Sequence, residues 1–131
     1  MRFIVCDNYE KLTEEAVKII ASQLVIKPNS VLGLPEGTTP VGIYHKLGEK
    51  CKAGEIDFSE AVTFNLDEYY PMSSTDERSC HKYMYDNFFD NININEENIH
   101  ILNGEAKDAN KECESFEKEI KTHGGIDLQI L

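Results

Sequence analysis

Val31-Leu32-Gly33-Leu34-Pro35-Glu36-Gly37-Thr38-Thr39-Pro40 and, further along, Val62-Thr63-Phe64-Asn65-Leu66-Asp67-Glu68-Tyr69-Tyr70 are the two segments whose residue types are suited to chemistry. Each opens as an apolar, β-like run and ends abruptly, the first in a Gly/Thr-rich turn and the second in two adjacent carboxylates. A glycine-rich turn from strand to helix aims several backbone N–H groups at one spot, and the dipole of the helix adds partial positive charge there. Gly37 lets the backbone approach an anion closely, and Thr38 and Thr39 add hydroxyl donors. The plainer reading of this segment is a tight turn with an N-cap, which needs only Gly37 and Thr39. Glu36 opposes a bound phosphate unless its carboxylate points away. At the second segment, neighbouring residues at a strand end project to opposite sides, so one of Asp67 and Glu68 faces a given ligand. A carboxylate at the carboxyl end of a sheet, partly desolvated, gains the raised pKa that suits a general base. The plainer reading is a pair of solvated or helix-capping acids. Ligands of parallel α/β sheets sit beyond the carboxyl ends of the strands, so the two segments together point to an enzyme acting on a sugar phosphate.

Other reactive side chains are expected to be bystanders. Of the four histidines, His45 falls on the outer side of its helix and His100 and His123 lie in polar or terminal surroundings; His81, just after a polar loop, is within reach of the site. No histidine has a second ligand at sensible spacing. The four cysteines, Cys6, Cys51, Cys80 and Cys113, contain no C-x-x-C pair. No metal site or disulfide is therefore expected, and the thiols read as free in a reducing cytoplasm.

The elements that position these residues alternate between strand and helix. Phe3 to Val5 reads as a short buried strand. Asn8 caps a helix in which Leu12, Ala16, Ile19, Ile20 and Leu24 recur at helical spacing, broken by Pro28-Asn29. Ser30 to Leu34 is a strand buried on both faces. Thr39 is the expected N-cap and Pro40 the first residue of the next helix, with Ile43, Tyr44, Leu47 and Cys51 inward and Gly54 at its end. Ala61 to Leu66 is the next strand. A polar loop from Pro71 to Arg78 leads to a helix around Ser79 to Phe89 with Tyr83, Met84 and Phe88 inward. Ile99 to Leu102 reads as a small strand. Lys107 to His123 is a charged helix with Ala109, Cys113, Phe116 and Ile120 as its inner stripe, ended by Gly124-Gly125, and Ile126 to Leu131 opens a last strand. The alternation predicts an α/β fold, a parallel sheet with flanking helices in a Rossmann-like, three-layer arrangement. Because the sequence stops on an apolar strand with no helix to cover it, the fold is expected to be incomplete at the C-terminus, the front half of something longer.

A chain of 131 residues suffices for one domain with its own core, and a charged fraction of 28% is that of a globular protein. The net charge of −11 argues against nucleic acid and anionic membrane as partners, since both need a basic footprint. Met1 to Cys6 is too short for a signal h-region, and no apolar run approaches a membrane span. The expected location is the cytoplasm.

As a set, these motifs resemble the glucosamine-6-phosphate deaminase family, within the larger group that includes the 6-phosphogluconolactonases. Gly33-Leu34-Pro35 followed by Gly37 and Thr39-Pro40 looks like the family's phosphate loop. Thr63-Phe64-Asn65-Leu66-Asp67-Glu68-Tyr69 looks like its base-bearing motif and is the more specific of the two. Ser79, His81, Met84 and Asn87-Phe88-Phe89 resemble the helix that follows, and Ile101-Leu102-Asn103-Gly104 a later segment. The similarity runs along essentially the whole chain, as the amino-terminal part of a single sugar-phosphate isomerase/deaminase domain. It implies ring opening of glucosamine 6-phosphate, aldose-ketose isomerisation, and deamination to fructose 6-phosphate and ammonia. Asp67 then corresponds to the acid/base that moves a proton between C2 and C1, with Glu68 beside it as a substrate-site residue and Gly37, Thr38 and Thr39 along the phosphate. No cofactor or metal is implied, and members work alone or as homo-oligomers.

Three departures qualify the match. The family usually has a small hydroxyl residue at Glu36, glycine at Thr38 and tyrosine at Cys80; the first two weaken a phosphate site. The family's glycine-rich turn and ring-opening histidine follow the position of Leu131, so the 131-residue chain alone is expected to be inactive. The tyrosines at 69 and 70, where a lactonase is expected to carry arginine, disfavour that branch. A sugar-phosphate-binding module without catalysis is the reading from a different class.

Overall fold

The structure is a computed structural model that describes residues 3–131. Local signals start and stop its helices. Helix α1 (Tyr9–Ile26) opens on Asn8, whose side chain accepts a bond of 2.9 Å from the Lys11 N–H. Helix α2 (Val41–Lys52) ends in two bonds, Gly54 N–H to Cys51 C=O and Glu55 N–H to Lys50 C=O, each 2.9 Å, the paired closure that satisfies the last carbonyls of a helix. Helix α3 (Cys80–Asn87) begins at Ser79, and α4 (Ala109–Thr122) at Asp108, whose carboxylate accepts from the N–H groups of Asn110 and Lys111.

Four strands, β1 (Val31–Leu34), β2 (Val62–Asn65), β3 (Ile99–His100) and β4 (Leu128–Gln129), pair in parallel in the order β3-β2-β1-β4. All four residues of β1 and of β2 are buried, as strands covered on both faces must be. The alternation of side chains sorts them into two layers. Leu32 and Leu34 face a core built with Val17, Ile20 and Leu24 of α1, Tyr44 and Leu47 of α2, and Met84 and Phe88 of the α3 region. Val31, Val62 and Phe64 face the other way, against Phe116 and Ile120 of α4 and Ile126. Helices α1 to α3 thus cover one face and α4 the other, and the expected three-layer α/β arrangement holds.

Phe88 centres the first core, with ring centroids 4.9 Å from Tyr44 and 5.5 Å from both Phe58 and Phe89. The second core is thinner. No residue of α4 is fully buried, and Phe64 is closed in by edge contacts with Phe116 and His123 and by stacking on His100 at 4.4 Å.

Several expectations need correction. Phe3 to Val5 forms no strand; Phe3 is 82% and Val5 95% exposed, because no described strand offers this segment a ladder and β-propensity alone does not make a strand. In α1 the buried stripe is Thr13, Val17, Ile20 and Leu24, whereas Leu12 and Ile19 are exposed. The packing of α1 against α2 and the sheet, rather than apolar character alone, decides which side turns inward. Pro40, not Thr39, is the N-cap of α2, and no side chain caps it. Cys113 is exposed on α4 rather than part of an inner stripe.

Asp127, at the entry to β4, ties distant segments together. Its carboxylate accepts from Lys27 Nζ at 2.9 and 2.6 Å and from the Val31 N–H at 2.8 Å. The Lys27 hydrogen bond and then the Val31 N–H hold its carboxyl below the usual aspartate range. A folded-state pKa below the unfolded one stabilises the fold above the unfolded value, and this gain disappears as pH falls through the folded value. Asp127→Asn is therefore expected to cost no more than about 1 kcal/mol at neutral pH, since the pair is open to solvent. Urea unfolding between neutral and acid pH checks this: the difference from the parent protein should shrink to nothing in acid.

Candidate active site

The cleft lies beyond the carboxyl ends of β1 and β2, where a parallel sheet presents its ligands. It holds about 450 Å³ and is lined by the β1–α2 turn, the β2–α3 connection and the start of α3. The turn is anchored by three tyrosines from three helices. Tyr44 Oη donates to the Pro35 carbonyl, Tyr83 Oη to the Gly37 carbonyl, and Tyr9 Oη to the Thr39 carbonyl. Tyr9 Oη also accepts from the Gly42 N–H at 3.1 Å. Gly37 sits at φ +118°, a conformation that side chains with a Cβ rarely adopt. Among the described residues, the N–H groups of Gly37, Thr38 and Thr39 have no hydrogen-bond acceptor within the chain. All three residues are exposed, Gly37 in the lining of the cleft and Thr38 and Thr39 just beyond it, which leaves their donors available to an anion.

The β2 end is held differently. The Leu66 N–H extends the ladder by a 3.1 Å bond to the Leu34 carbonyl. Asp67, the next residue, is exposed, so the expectation of a partly desolvated base is corrected. Glu68 turns away from it and binds the start of α3. Its carboxylate accepts from the Ser79 hydroxyl at 2.8 Å, from the Cys80 and His81 N–H groups at 3.0 Å each, and from the Tyr69 N–H at 2.8 Å. Burial alone would raise this carboxyl, but the N–H groups of His81 and Cys80 and the Ser79 hydroxyl outweigh it and hold it low. The connection is then seated by Gly104, whose carbonyl accepts from the Met72 N–H at 2.8 Å. A Cβ on Gly104 would lie 2.5 Å from the Met72 carbonyl oxygen and 2.8 Å from that of Tyr69.

The desolvated carboxyl is Glu36. It is half-buried and accepts from Asn65 Nδ2 at 2.6 Å. Burial, then hydrogen bonding and charge repulsion with Asp67, push it up to about 7, against the opposing pull of Asn65. Glu36 thus does not point away from the cleft, but below neutral pH it carries a proton, and a neutral carboxyl does not repel a phosphate as a carboxylate does. Cys80 Sγ completes the group: ligand atoms of Glu36, Asp67 and Cys80 all lie within 4.8 Å of one another. Burial and the surrounding carboxylates raise the Cys80 thiol to about 12, so at neutral pH it is a protonated thiol rather than a nucleophile.

Sequence spacing missed Asn65, Tyr9, and the convergence of Glu36 and Cys80 on Asp67. Asn65 alone left a trace, as an amide at the end of an otherwise apolar strand. His81 stays out of the cleft lining and stacks on Tyr85 at 4.5 Å. His45 bonds Asn87, His100 stacks on Phe64, and His123 bonds the Glu119 carbonyl.

A parallel, doubly covered sheet with an exposed carboxylate and open N–H groups past adjacent strand ends defines a Rossmann-like protein with a small-molecule site. The family model described as glucosamine-6-phosphate isomerases/6-phosphogluconolactonase matches residues 7–131, and the chain belongs to that family. A glucosamine-6-phosphate deaminase of Thermoanaerobacter sp. (strain X514) is 51% identical over 131 residues, covering 100% of this chain and 52% of the relative. One from Halothermothrix orenii (strain H 168 / OCM 544 / DSM 9562) is 49% identical over the same length and is 54% covered. A solved monomeric glucosamine-6-phosphate deaminase superposes with a TM-score of 0.95 at 38% identity, over 98% of this chain and 54% of that one. The 6-phosphogluconolactonase of Thermotoga maritima, at TM-score 0.81 and 23% identity over 98% of this chain and 56% of its own, shares the fold. The chain spans about half the length of the curated relatives it matches.

Removing the Glu68 acceptor leaves the first donors of α3 unsatisfied in a partly closed setting. Glu68→Ala is expected to cost about 1–3 kcal/mol and to speed hydrogen exchange at Cys80 and His81, while Glu68→Gln, which keeps an acceptor oxygen, loses less. Urea unfolding and amide exchange measure both effects.

Proposed function

We propose that residues 1–131 form the amino-terminal part of one glucosamine-6-phosphate deaminase domain and supply its base and part of its phosphate site. The observation that carries this is the placement of Asp67, exposed at the carboxyl end of β2 and next to the open N–H groups of the β1–α2 turn. In this reading the Gly37, Thr38 and Thr39 donors receive the substrate phosphate. Ring opening exposes an aldose whose C2 proton Asp67 removes and returns at C1. The resulting ketose-level imine takes up water and loses ammonia, leaving fructose 6-phosphate. Glu36 acts at the edge of the site as a neutral carboxyl, and Glu68 positions α3 rather than touching substrate. The setting is the cytoplasm; no described helix is long and apolar enough to cross a membrane.

The lining of the cleft favours a second reading, a sugar-phosphate-binding module without catalysis. Among the described residues, Glu36, Asp67, Glu68 and Glu77 stand there with a single cation, Arg78, whose guanidinium is already paired with Asp76 at 2.8 Å. One experiment separates the two. Joined to the remaining half of the Thermoanaerobacter relative, this chain is expected to release ammonia from glucosamine 6-phosphate, and Asp67→Asn to lower kcat by about 10²–10⁴. The 131-residue chain by itself is expected to release none. Phosphate-ester binding by the joined protein without ammonia release would select the binding module.

A further inference from the structure

We propose that Glu36, Asp67, Asn65 and Cys80 form a site for a borderline-soft divalent cation of the zinc class. Two carboxylates, a thiol and an amide oxygen make a donor set that such a cation accepts and that magnesium or calcium, which take oxygen ligands alone, do not.

Two independent observations support this. The first is the convergence itself: Cys80 is buried, Glu36 half-buried and Asp67 exposed, and their ligand atoms lie within 4.8 Å of one another. The donors come from three rigidly held places, the tyrosine-anchored turn, the end of β2 and the first residue of α3. The second is Asn65, which is 1% exposed and reaches the cluster through its 2.6 Å bond to Glu36. Its Oδ1 is buried without a hydrogen-bond partner, and an orphaned buried acceptor of this kind is costly in a finished fold. In this structure Nδ2 faces Glu36, and a flip of the terminal amide, at the loss of that bond, is what brings Oδ1 to a cation there. The surrounding charge agrees, since Glu68 and Glu77 also line the cleft and its one cation among the described residues, Arg78, is engaged by Asp76.

Binding balances as a proton exchange. The metal–sulfur bond forms as the Cys80 Sγ–H proton leaves to solvent, and any proton on Glu36 leaves with it, so affinity rises with pH. Zn–S and Zn–O bonds of about 2.3 and 2.0–2.2 Å require the donors to draw together, which the exposed Asp67 side chain allows. The entrance is the open side of the cleft. On the reading proposed above, a bound cation occupies Asp67 and withholds the base, so it acts as a reversible inhibitor.

The test uses the reduced 131-residue chain and Co²⁺ as the probe. One equivalent is expected to bind with a near-ultraviolet thiolate-to-cobalt absorption band, and Zn²⁺ to abolish that band by displacement. Cys80→Ser is expected to remove the band, and Glu36→Gln to weaken binding by more than about tenfold, whereas replacing Cys6, Cys51 and Cys113 together by serine leaves both intact. Should Cys80→Ser fail to fold, Glu36→Gln decides, because its amide oxygen still accepts the Asn65 bond. Absence of a band, a band that survives Cys80→Ser, or unchanged affinity in Glu36→Gln overturns the proposal. None of these readouts depends on ammonia release, so the site and the proposed reaction fail separately.

Discussion

The seating of Glu68 on the first turn of α3 is the contact on which the rest of the cleft depends. A helix start carries unsatisfied N–H groups and partial positive charge, and Glu68 answers both with one carboxylate that accepts from Ser79, Cys80 and His81. This bond joins the end of β2 to a helix that starts more than ten residues later in the chain. It sets the position of Cys80 beside Asp67, and it sets the height of α3 from which Tyr83 reaches the Gly37 carbonyl. The two walls of the cleft are thereby held at one spacing.

Three of the carboxyl groups that line the cleft have different surroundings. Glu68 is charged and saturated with donors. Glu36 is half-buried beside a second carboxyl and so retains a proton up to about pH 7. Asp67 is exposed. The division follows from burial and hydrogen-bond count rather than from residue type, since all three side chains end in the same group.

An anion at the β1–α2 turn would rely on backbone. Among the described residues, the only cation lining the cleft, Arg78, is engaged by Asp76, so a phosphate held here would be met by N–H groups and threonine hydroxyls. Orientation of those donors comes from the opposite side of the turn, where Tyr9, Tyr44 and Tyr83 hold three carbonyls. The relatives, about twice as long as this chain, extend beyond the portion it matches.

Much of the frame is legible in the residues themselves. Asn8 and Ser79 begin helices, Gly54 and Gly124 end them, and the apolar runs at 31–34 and 62–65 become doubly covered strands, because caps, turns and continuous burial are written within a few residues. Asp67 was likewise readable as a carboxylate at a strand end. What only the tertiary structure decided is set by partners far along the chain. The buried stripe of α1 turned away from Leu12 and Ile19 toward the surface that α2 provides. Phe3 to Val5 found no strand to pair with. The desolvated carboxyl proved to be Glu36, through Asn65 at a separation of 29 residues, and not Asp67. Helical period and capping are local properties that a short window of sequence contains; burial, charge state and the meeting of Glu36, Asp67 and Cys80 depend on which surfaces come together, and that arises only when the sheet closes.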